Sequence, residues 1–341
     1  MNLKREGVIL KPSKQKHETV AVLNPAVVQT GNTLEMFYRA VQKDNYSTIG
    51  YCVLEGPLKV AERATEPILR PEYDYEKQGV EDPRIVNIED TYYLTYTAFD
   101  GKNARIAYAE SKNLKEWKKR GIISPQLTYD KAEDLFRKSS YNLKEKYFFF
   151  ESYYKDKAGP DVILWEKDAL LFPKKINGKF ALIHRILPGM QIIFFDRFEQ
   201  LMDKKYWEHY LKKLGEYVIL EPKYAFESRN IGGGAPPLET DAGWLLIYHA
   251  VEDSSYGKIY HAAAALLDKQ NPLKVIGRLD YPLFSPETDY EKSGNVNNII
   301  FPTDTALFDD RLYIYYGAAD QVIAAVSLNL NELLVELLRN T

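Results

Sequence analysis

The tetrapeptide Glu81-Asp82-Pro83-Arg84 places two adjacent carboxylates and a guanidinium in a turn before a strand-like run at residues 91–98. Two carboxyl groups this close take different protonation states when their environments differ, as acid–base chemistry requires. A surface turn with an ordinary arginine–carboxylate pair is the simpler alternative. The residues of this motif alone leave both interpretations open.

A second set of polar side chains stands at the ends of other strand-like runs. It combines amide, guanidinium and imidazole groups and comprises Asn24, Arg39, His184, Arg185, Arg229, Asn230 and His249. Bidentate arginine and neutral imidazole bind oxygen ligands well, so the set suits an anion or a polyhydroxylated ligand. The glycine run at 232–234 allows close backbone approach but lacks the context of a nucleotide-binding loop.

The elements that position these side chains repeat along the chain. Each unit has a proline, a short apolar run, a polar turn and an aromatic-rich run, and the units span residues 24–39, 82–96, 172–185, 235–249 and 301–316. The turns suit hairpins and are Gly31-Asn32, Glu89-Asp90, Asn177-Gly178, Asp241-Ala242-Gly243 and Asp309-Asp310. Five such units predict an all-β, five-bladed β-propeller, although hairpins occur in any large all-β protein.

In a propeller, equivalent positions of different blades converge on one axis. The predicted convergent residues, one from each unit, are Arg39, Tyr96, Arg185, His249 and Tyr316. The chain 1–341 is predicted to be a single propeller domain with insertions at about 125–166 and 197–214. The first insertion is predicted to be a strand pair or a lid.

Helical spacing of apolar residues predicts a short surface helix in the second insertion. Its predicted apolar face comprises Phe198, Leu201, Met202, Tyr206, Tyr210, Leu211 and Leu214. Residues 328–338 predict a C-terminal helix that caps or closes the ring.

Composition limits the classes of partner. Among the 341 residues, 45 Lys and Arg against 48 Asp and Glu give a net charge of −3, so no global field draws the protein to nucleic acid or to an anionic membrane. The single cysteine, Cys52, excludes an internal disulfide framework. No secretion signal or membrane-length apolar run is apparent, so the cytoplasm is the expected location. No metal is required, because no Cys/His cluster has zinc spacing, and the Gly-x-Ser-x-Gly elbow of many hydrolases is missing.

Four motifs resemble glycoside hydrolase family 130. They are Gly-Val-Glu-Asp-Pro-Arg-Ile at 79–85, Leu-Phe-Pro-Lys-Lys-Ile-Asn-Gly-Lys-Phe-Ala-Leu-Ile-His-Arg at 171–185, Ile-Gly-Gly-Gly-Ala-Pro-Pro with its continuation at 231–249, and Tyr-Gly-Ala-Ala-Asp at 316–320. The family comprises inverting β-mannoside phosphorylases and fewer β-mannosidases. The resemblance implies a five-bladed propeller, a small β-mannoside substrate, inorganic phosphate as co-substrate and no other cofactor. A homo-oligomer remains possible.

The resemblance also implies residue roles. Asp82 would be the general acid, acting on the glycosidic oxygen through a hydroxyl of the bound mannosyl unit. The predicted sugar-binding residues are Asn24, Arg39, Asp320 and, around the motif and its repeat, Glu81, Arg84 and Tyr96. The predicted phosphate-binding residues are Lys167, Asp168, Arg185, Asn230 and His249, with help from Arg229.

The chain departs from the family pattern in one segment, which leaves two reactions open. Asn230 replaces a lysine common in phosphorylases, and Glu227 stands where many of them have aspartate. An inverting phosphorylase needs only a cationic cradle for phosphate, whereas an inverting hydrolase needs a carboxylate base, for which Glu227 is the candidate. The expected reaction is phosphorolysis of a non-reducing terminal β-mannoside to α-mannose 1-phosphate. The alternatives are hydrolysis, a related five-bladed furanosidase, and a non-catalytic sugar-binding propeller.

Overall fold

The computed structural model describes residues 1–138 and 143–339, and these form a β-rich fold with a few helices. In chain order the strands are β1 (Lys4–Leu10), β2 (Ala21–Thr30), β3 (Thr33–Val41), β4 (Ser47–Glu55), β5 (Lys59–Arg63), β6 (Gly79–Ile88), β7 (Thr91–Phe99), β8 (Ala104–Ser111), β9 (Lys118–Ile122), β10 (Leu170–Leu171), β11 (Phe180–His184), β12 (Met190–Phe195), β13 (Val218–Leu220), β14 (Asn230–Gly233), β15 (Leu238–Glu239), β16 (Trp244–Ser254), β17 (Gly257–Leu267), β18 (Val275–Arg278), β19 (Ile300–Phe308), β20 (Arg311–Ala318) and β21 (Val322–Asn329).

The strands pair into antiparallel groups that follow the chain. β2–β5, β6–β9, β10–β13 and β14–β18 are each continuous in sequence, and β19–β21 are completed by the N-terminal β1. One parallel bridge, from Ser47 to Gly79, joins the first two groups into a single eight-stranded sheet. Hydrogen bonds among the described residues therefore define four sheets. The prediction of a β-rich fold with a few helices is confirmed.

All five predicted turns lie between paired strands. Gly31-Asn32 connects β2 to β3, Glu89-Asp90 connects β6 to β7, and Asp309-Asp310 connects β19 to β20. Asn177-Gly178 lies inside the bridge between Ile176 and Lys179 ahead of β11, and the remaining turn, 241–243, lies between β15 and β16. The turn chemistry thus identified the hairpins correctly.

The helices are α1 (Tyr129–Phe136), α2 (Lys146–Ala158), α3 (Lys204–Leu211), α4 (Asp289–Lys292) and α5 (Leu330–Arg339). Helices α1 and α2 lie in the first insertion, where the alternative of a strand pair is wrong for the described residues. Tyr147 and Phe150 of the aromatic run are buried on α2. Their rings pack the helix against the neighbouring apolar core. Residues 139–142 of the predicted insertion lie outside the described residues.

The second insertion is helical, as predicted, but it is interrupted. A 3₁₀ turn at Phe198–Met202 precedes α3, and Asp203 caps α3 by accepting a hydrogen bond from the Lys205 backbone. Trp207 is 1% exposed and belongs to the buried face, whereas Met202, predicted on that face, is 42% exposed. The predicted C-terminal helix is confirmed as α5, which begins after Asn329.

The inserted helices share one apolar core with the neighbouring strands. Trp207 and Leu211 of α3, Phe136 of α1, Phe150 of α2 and Phe195 of β12 are all buried in it. The insertions are therefore packed against the strands that carry the site described below. Within 1–138 and 143–339, no helix is long and apolar enough to cross a membrane.

Candidate active site

Two β-bulges shape the centre of the site. The register of β2 against β3 shifts around Asn24, and that of β6 against β7 shifts around Asp82. Asn24 has φ 51° and Asp82 has φ 53°, in the left-handed region that Asn and Asp adopt more readily than most residues. A bulge re-aims the side chain it carries, and here Asn24 Nδ2 donates to Asp82 Oδ1 at 2.7 Å.

Glu81 links two cations beside this pair. Arg39 Nη2 donates to Glu81 Oε1 at 2.8 Å, and Lys167 Nζ lies 3.2 Å from Glu81 Oε2. Arg39 Nη1 is also 3.8 Å from Asp82 Oδ1. Arg39, Glu81, Lys167 and Asp320 line a cavity of about 450 Å³. The structure thus brings together Asn24, Arg39, Glu81, Asp82 and Asp320, with Lys167 on this sugar-side set although it was predicted for phosphate.

The pKa values of the two aspartates of this set are shifted in opposite directions. Burial would raise the pKa of Asp82, but the charges of Arg39, Lys167 and Arg84 hold that pKa below its usual value. Burial raises the pKa of Asp320 to about 6, against the opposing charge of Arg39. Two nearby carboxyl groups with unlike environments are the arrangement expected for acid chemistry.

Arg84 anchors the bulge instead of facing the cavity. Its Nε donates to the Gly234 carbonyl at 2.6 Å, and its Nη1 donates to the carbonyls of Asp82 and Pro83 at 3.1 and 3.0 Å. The side chain is buried. The predicted role of Arg84 in sugar binding is therefore replaced by a role in fixing the backbone around Asp82.

Asp304, a buried carboxyl group on which the charge of Arg84 acts, gives a prediction for stability. Burial raises the pKa of Asp304 to about 7, even though it accepts hydrogen bonds from the backbone of Val27 and Thr305. An unfolded aspartate has a pKa of about 3.9, so the folded protein binds the proton more tightly between these values. We expect the free energy of unfolding to fall as pH rises from about 4 to about 7, by about 4 kcal/mol at most from this group.

Urea unfolding of wild type and Asp304→Asn at several pH values between 4 and 7 measures this dependence. The difference in unfolding free energy between the two proteins should move in favour of the variant as pH rises. Parallel profiles would contradict the assignment of a bound proton to Asp304.

A second cluster contains Asp168, Arg185 and His249. Asp168 has φ 59°, and its Oδ2 lies 2.6 Å from Arg185 Nη1 and 4.0 Å from His249 Nε2. Burial lowers the pKa of His249 to about 4, so the imidazole is neutral at pH 7. Its Nδ1 lies 3.3 Å from the Gly233 carbonyl, which assigns the proton to Nδ1. His249 Nε2 and Arg185 Nε are buried without a hydrogen-bond partner among the described residues.

The predicted glycine run and Asn230 border this second cluster. A Cβ at Gly232 would collide with the His249 ring and lie 2.8 Å from Arg185 Cδ, so the close approach expected of this segment is observed. Asn230, at the start of β14, is 6% exposed. Within 1–138 and 143–339, no group of three or more His, Cys, Asp and Glu residues could hold a metal ion.

Sequence reasoning missed two tyrosines at this cluster. The Tyr260 ring lies 6.1 Å from the His249 ring, and burial raises the pKa of Tyr260 to about 12 against the opposing charge of Arg185. For Tyr154, on the inserted helix α2, the charge of Arg185 likewise opposes the rise in pKa that burial causes. Neither belongs to a motif, although Tyr260 stands opposite Val251 on the strand paired with the one that carries His249.

Arg229, predicted for phosphate, lies elsewhere. Its Nη1 is 3.2 Å from Asp253, and its guanidinium lies 5.6 Å from the Phe150 ring centre and 5.4 Å from that of Tyr153. Among the described residues, the side chain of Arg229 contacts Asp253 and α2, and none of these contacts is with Asp168, Arg185 or His249. Its contacts attach the insertion to the start of β14.

Five buried glutamates make one recurring contact with an aromatic or imidazole side chain. We call these the Glu–Tyr/His pairs: Glu18–Tyr38, Glu76–Tyr96, Glu166–His184, Glu227–Tyr248 and Glu291–Tyr316. Each glutamate is 0% exposed. A cation joins four pairs, namely Arg63, Lys119, Arg278 and Arg5. One such pair stabilises each of the five groups of strands.

Tyr96 and Glu227 were predicted to belong to the site, but both side chains are buried in these pairs. Tyr96 is 1% exposed and donates to Glu76 at 2.9 Å. Glu227 accepts hydrogen bonds from the Lys223 and Tyr224 backbone, from Tyr248 and from Arg278. A carboxylate with four donors and no exposure is a structural anchor, so its predicted role as a catalytic base is corrected.

The same contacts explain an error in the predicted convergence. Tyr96 and Tyr316 occupy in their units the position that Tyr38 and Tyr248 occupy in theirs. In those two units the site residue is the next one along the strand, Arg39 or His249. Because side chains alternate along a strand, a shift of one residue places them on the opposite face. His184 likewise bonds Glu166 and Tyr210, and the following Arg185 reaches the site.

Comparison with known proteins identifies the family of this chain. The family model of glycoside hydrolase family 130, described as beta-1,4-mannooligosaccharide phosphorylase, matches residues 5–339. The chain belongs to glycoside hydrolase family 130. The predicted family is thereby confirmed, as is the prediction of an enzyme of the glycoside phosphorylase type.

Relatives of this family 130 protein cover nearly its whole length. It is 32% identical over 342 residues to a 1,2-beta-oligomannan phosphorylase of Thermoanaerobacter sp. (strain X514), covering 97% of each chain. It is 34% identical over 330 residues to a beta-1,2-mannobiose phosphorylase of the same strain, covering 92% of this chain and 91% of the relative. The fold matches the beta-1,2-mannobiose phosphorylase of Listeria innocua with a TM-score of 0.73 at 21% identity, covering 99% of both chains.

Proposed function

We propose that this protein is an inverting β-mannoside phosphorylase. It removes the non-reducing terminal β-mannosyl unit of a short oligosaccharide and transfers it to inorganic phosphate. The observation that carries the proposal is the cluster of Asp168, Arg185 and His249, whose carboxylate is already paired with Arg185 at 2.6 Å. A cluster of this kind suits an anionic nucleophile, and its paired carboxylate is a poor base for water.

Asp82 is the proposed general acid. An oxygen of phosphate attacks the anomeric carbon, the bond from that carbon to the glycosidic oxygen breaks, and the proton of Asp82 passes to the leaving oxygen through a hydroxyl of the mannosyl unit. The product is α-mannose 1-phosphate, because attack occurs on the face opposite the leaving group. Asn24 and Arg39, in contact with Asp82, hold the mannosyl unit together with Asp320.

Phosphate binding also favours protonation of Asp82. In the free enzyme, cations including Arg39 and Lys167 hold the pKa of Asp82 down. A phosphate dianion bound at the second cluster adds negative charge that opposes the effect of these cations, so the pKa of Asp82 rises when phosphate binds. The acid therefore gains its proton in the complex with phosphate.

The neutral His249 suits hydrogen phosphate specifically. With the proton on Nδ1 and donated toward Gly233, Nε2 keeps a free lone pair. That lone pair accepts a hydrogen bond from the hydroxyl of hydrogen phosphate, while Arg185 donates to its charged oxygens. Tyr260, beside His249, is placed to add a further donor, and Asn230 borders the same space.

The proposed architecture is a single domain, 1–341, of five blades around one axis. Each antiparallel group of strands is one blade, and β1 beside β21 closes the ring. This arrangement brings the bulges at Asn24 and Asp82 together with Asp168 and His249, which come from other groups. A cytoplasmic location, where phosphate is plentiful, fits a phosphorylase and remains our proposal.

The proposed substrate is a β-1,2-linked manno-oligosaccharide. Two relatives that cover more than nine tenths of this chain are named for activity on β-1,2-linked substrates. We expect phosphate-dependent cleavage of β-1,2-mannobiose, with slower cleavage of β-1,4-mannobiose. Initial rates with each disaccharide, with and without inorganic phosphate, measure both preferences. Equal release of free mannose with and without phosphate would contradict phosphorolysis, and faster cleavage of the β-1,4 isomer would contradict the linkage.

A further inference from the structure

Tyr154 is a buried tyrosine on α2 whose hydroxyl forms no hydrogen bond with the residues that the structure describes. Its side chain is 8% exposed, and its ring stacks on Tyr129 at 5.5 Å between ring centres. The described residues offer its hydroxyl no hydrogen bond, whereas the tyrosines of the Glu–Tyr/His pairs are all bonded. Buried tyrosine hydroxyls usually have a partner. The Tyr154 hydroxyl forms no hydrogen bond with the described residues, so it is free to donate one to a ligand.

The cations near Tyr154 indicate that such a ligand is an anion. Its ring centre is 4.7 Å from that of Trp165, and the Trp165 ring centre is 5.8 Å from Lys167 Nζ. Trp165 and Lys167 both line the cavity. Burial raises the pKa of the Tyr154 hydroxyl, while the charges of Arg185 and Lys167 act against that rise. The positive charges of Arg185, which pairs with Asp168, and of Lys167, which lines the cavity, therefore both act on the Tyr154 hydroxyl.

Contacts from outside the helix fix α2 in this position. The guanidinium of Arg229 packs on the rings of Phe150 and Tyr153. Lys146, at the start of α2, bonds the Ser228 carbonyl. These contacts tie α2 to the segment that leads into β14 and the glycine run, so the helix is a fixed wall beside the site.

We infer that Tyr154 binds the phosphate co-substrate, donating a hydrogen bond to it beside Arg185, and that the inserted helix α2 forms one wall of the phosphate site. The inference rests on the proposed phosphorolysis and deepens it. It also assigns Arg229 a positioning role, since this residue holds α2 without touching phosphate. The insertion thereby contributes to nucleophile binding.

Steady-state kinetics of Tyr154→Phe test the inference, with Tyr153→Phe as the matched control on the same helix. A hydrogen bond to a charged group contributes about 1.5–3 kcal/mol, so the KM for phosphate should rise roughly 10- to 100-fold. The KM for the mannoside should stay near the wild-type value, and Tyr153→Phe should change neither constant. Circular dichroism confirms that both variants are folded.

An unchanged KM for phosphate in Tyr154→Phe, or an equal rise in both KM values, would overturn the inference. A second readout separates it from the proposed reaction, namely the melting temperature as inorganic phosphate is added. Stabilisation of wild type that Tyr154→Phe loses supports the site even if free mannose is released without phosphate, a result that would overturn phosphorolysis alone. No stabilisation of the wild type by phosphate would overturn the inference.

Discussion

Replacing Asp82 with asparagine is expected to lower kcat by about 10²–10⁴-fold, the contribution of a positioned general acid. Asparagine keeps the contact with Asn24 and the left-handed backbone that the bulge at φ 53° requires, but it has no acidic proton to give. The fold should therefore survive while turnover is lost. The rate of α-mannose 1-phosphate formation from β-1,2-mannobiose and phosphate measures the effect.

Asp90→Asn is the matched control for this change. Asp90 is exposed in the turn of the same hairpin, and its φ of 59° is close to that of Asp82. This control should keep the wild-type rate and stability. If Asp82→Asn retained a near-normal rate, Asp82 would not be the acid, and the account of the bulge as a catalytic device would fail.

Replacing Glu227 with glutamine is expected to cost about 3–5 kcal/mol in the free energy of unfolding. The change leaves Arg278, which lies 2.6 Å from Glu227 Oε1, as a buried cation without its counter-charge. The kcat of the folded fraction should change little, because the carboxylate contacts structural groups alone. Urea unfolding measures the stability, and active-site-normalised rates measure kcat.

Glu291→Gln is the internal control, because Glu291 makes the same contact with Tyr316 and Arg5 in the last group of strands. Both variants should lose stability, Glu291→Gln by the smaller amount, because Arg5 keeps its ion pair with Glu287 and is more exposed than Arg278. A Glu227→Gln variant as stable as wild type but with a severe loss of kcat would restore Glu227 as a base and favour hydrolysis.

The hairpins and the acid motif could be predicted from sequence because their signals are local. Turn pairs such as Glu89-Asp90 reveal a hairpin, and an Asn-Pro or Asp-Pro step at Asn24 and Asp82 marks a special backbone position. The cationic residues Arg39 and Arg185 were found because they end aromatic-rich runs. Each of these signals lies within a few residues of the feature it marks.

The error at Tyr96 came from a strand register that local patterns do not fix, and the error at Glu227, in a 3₁₀ turn, came from a long-range pair with Tyr248. Whether a strand residue faces the site or the next sheet depends on one position. A longer-range signal existed, because in the five Glu–Tyr/His pairs the glutamate precedes its partner by 20, 20, 18, 21 and 25 residues. Aligning the units on these pairs places Arg39, Arg185 and His249 at one equivalent position.

The contribution of the first insertion could not be predicted from sequence. Tyr154 packs on Tyr129 and Trp165, and this packing depends on how α2 docks. Arg229, next to Asn230 in sequence, was predicted to help bind phosphate, yet it contacts Phe150 on α2. Side chains that come together only when an inserted element docks have no fixed spacing in the sequence. No sequence pattern therefore marks them.

The identity of the nucleophile is the central claim, and ³¹P NMR of the wild-type reaction tests it most directly. With β-1,2-mannobiose and inorganic phosphate, we expect a new phosphate ester, α-mannose 1-phosphate, formed in equal amount to the released mannose from the first time point. Without phosphate, no cleavage should occur. Free mannose alone, released at the same rate with and without phosphate, would contradict the account.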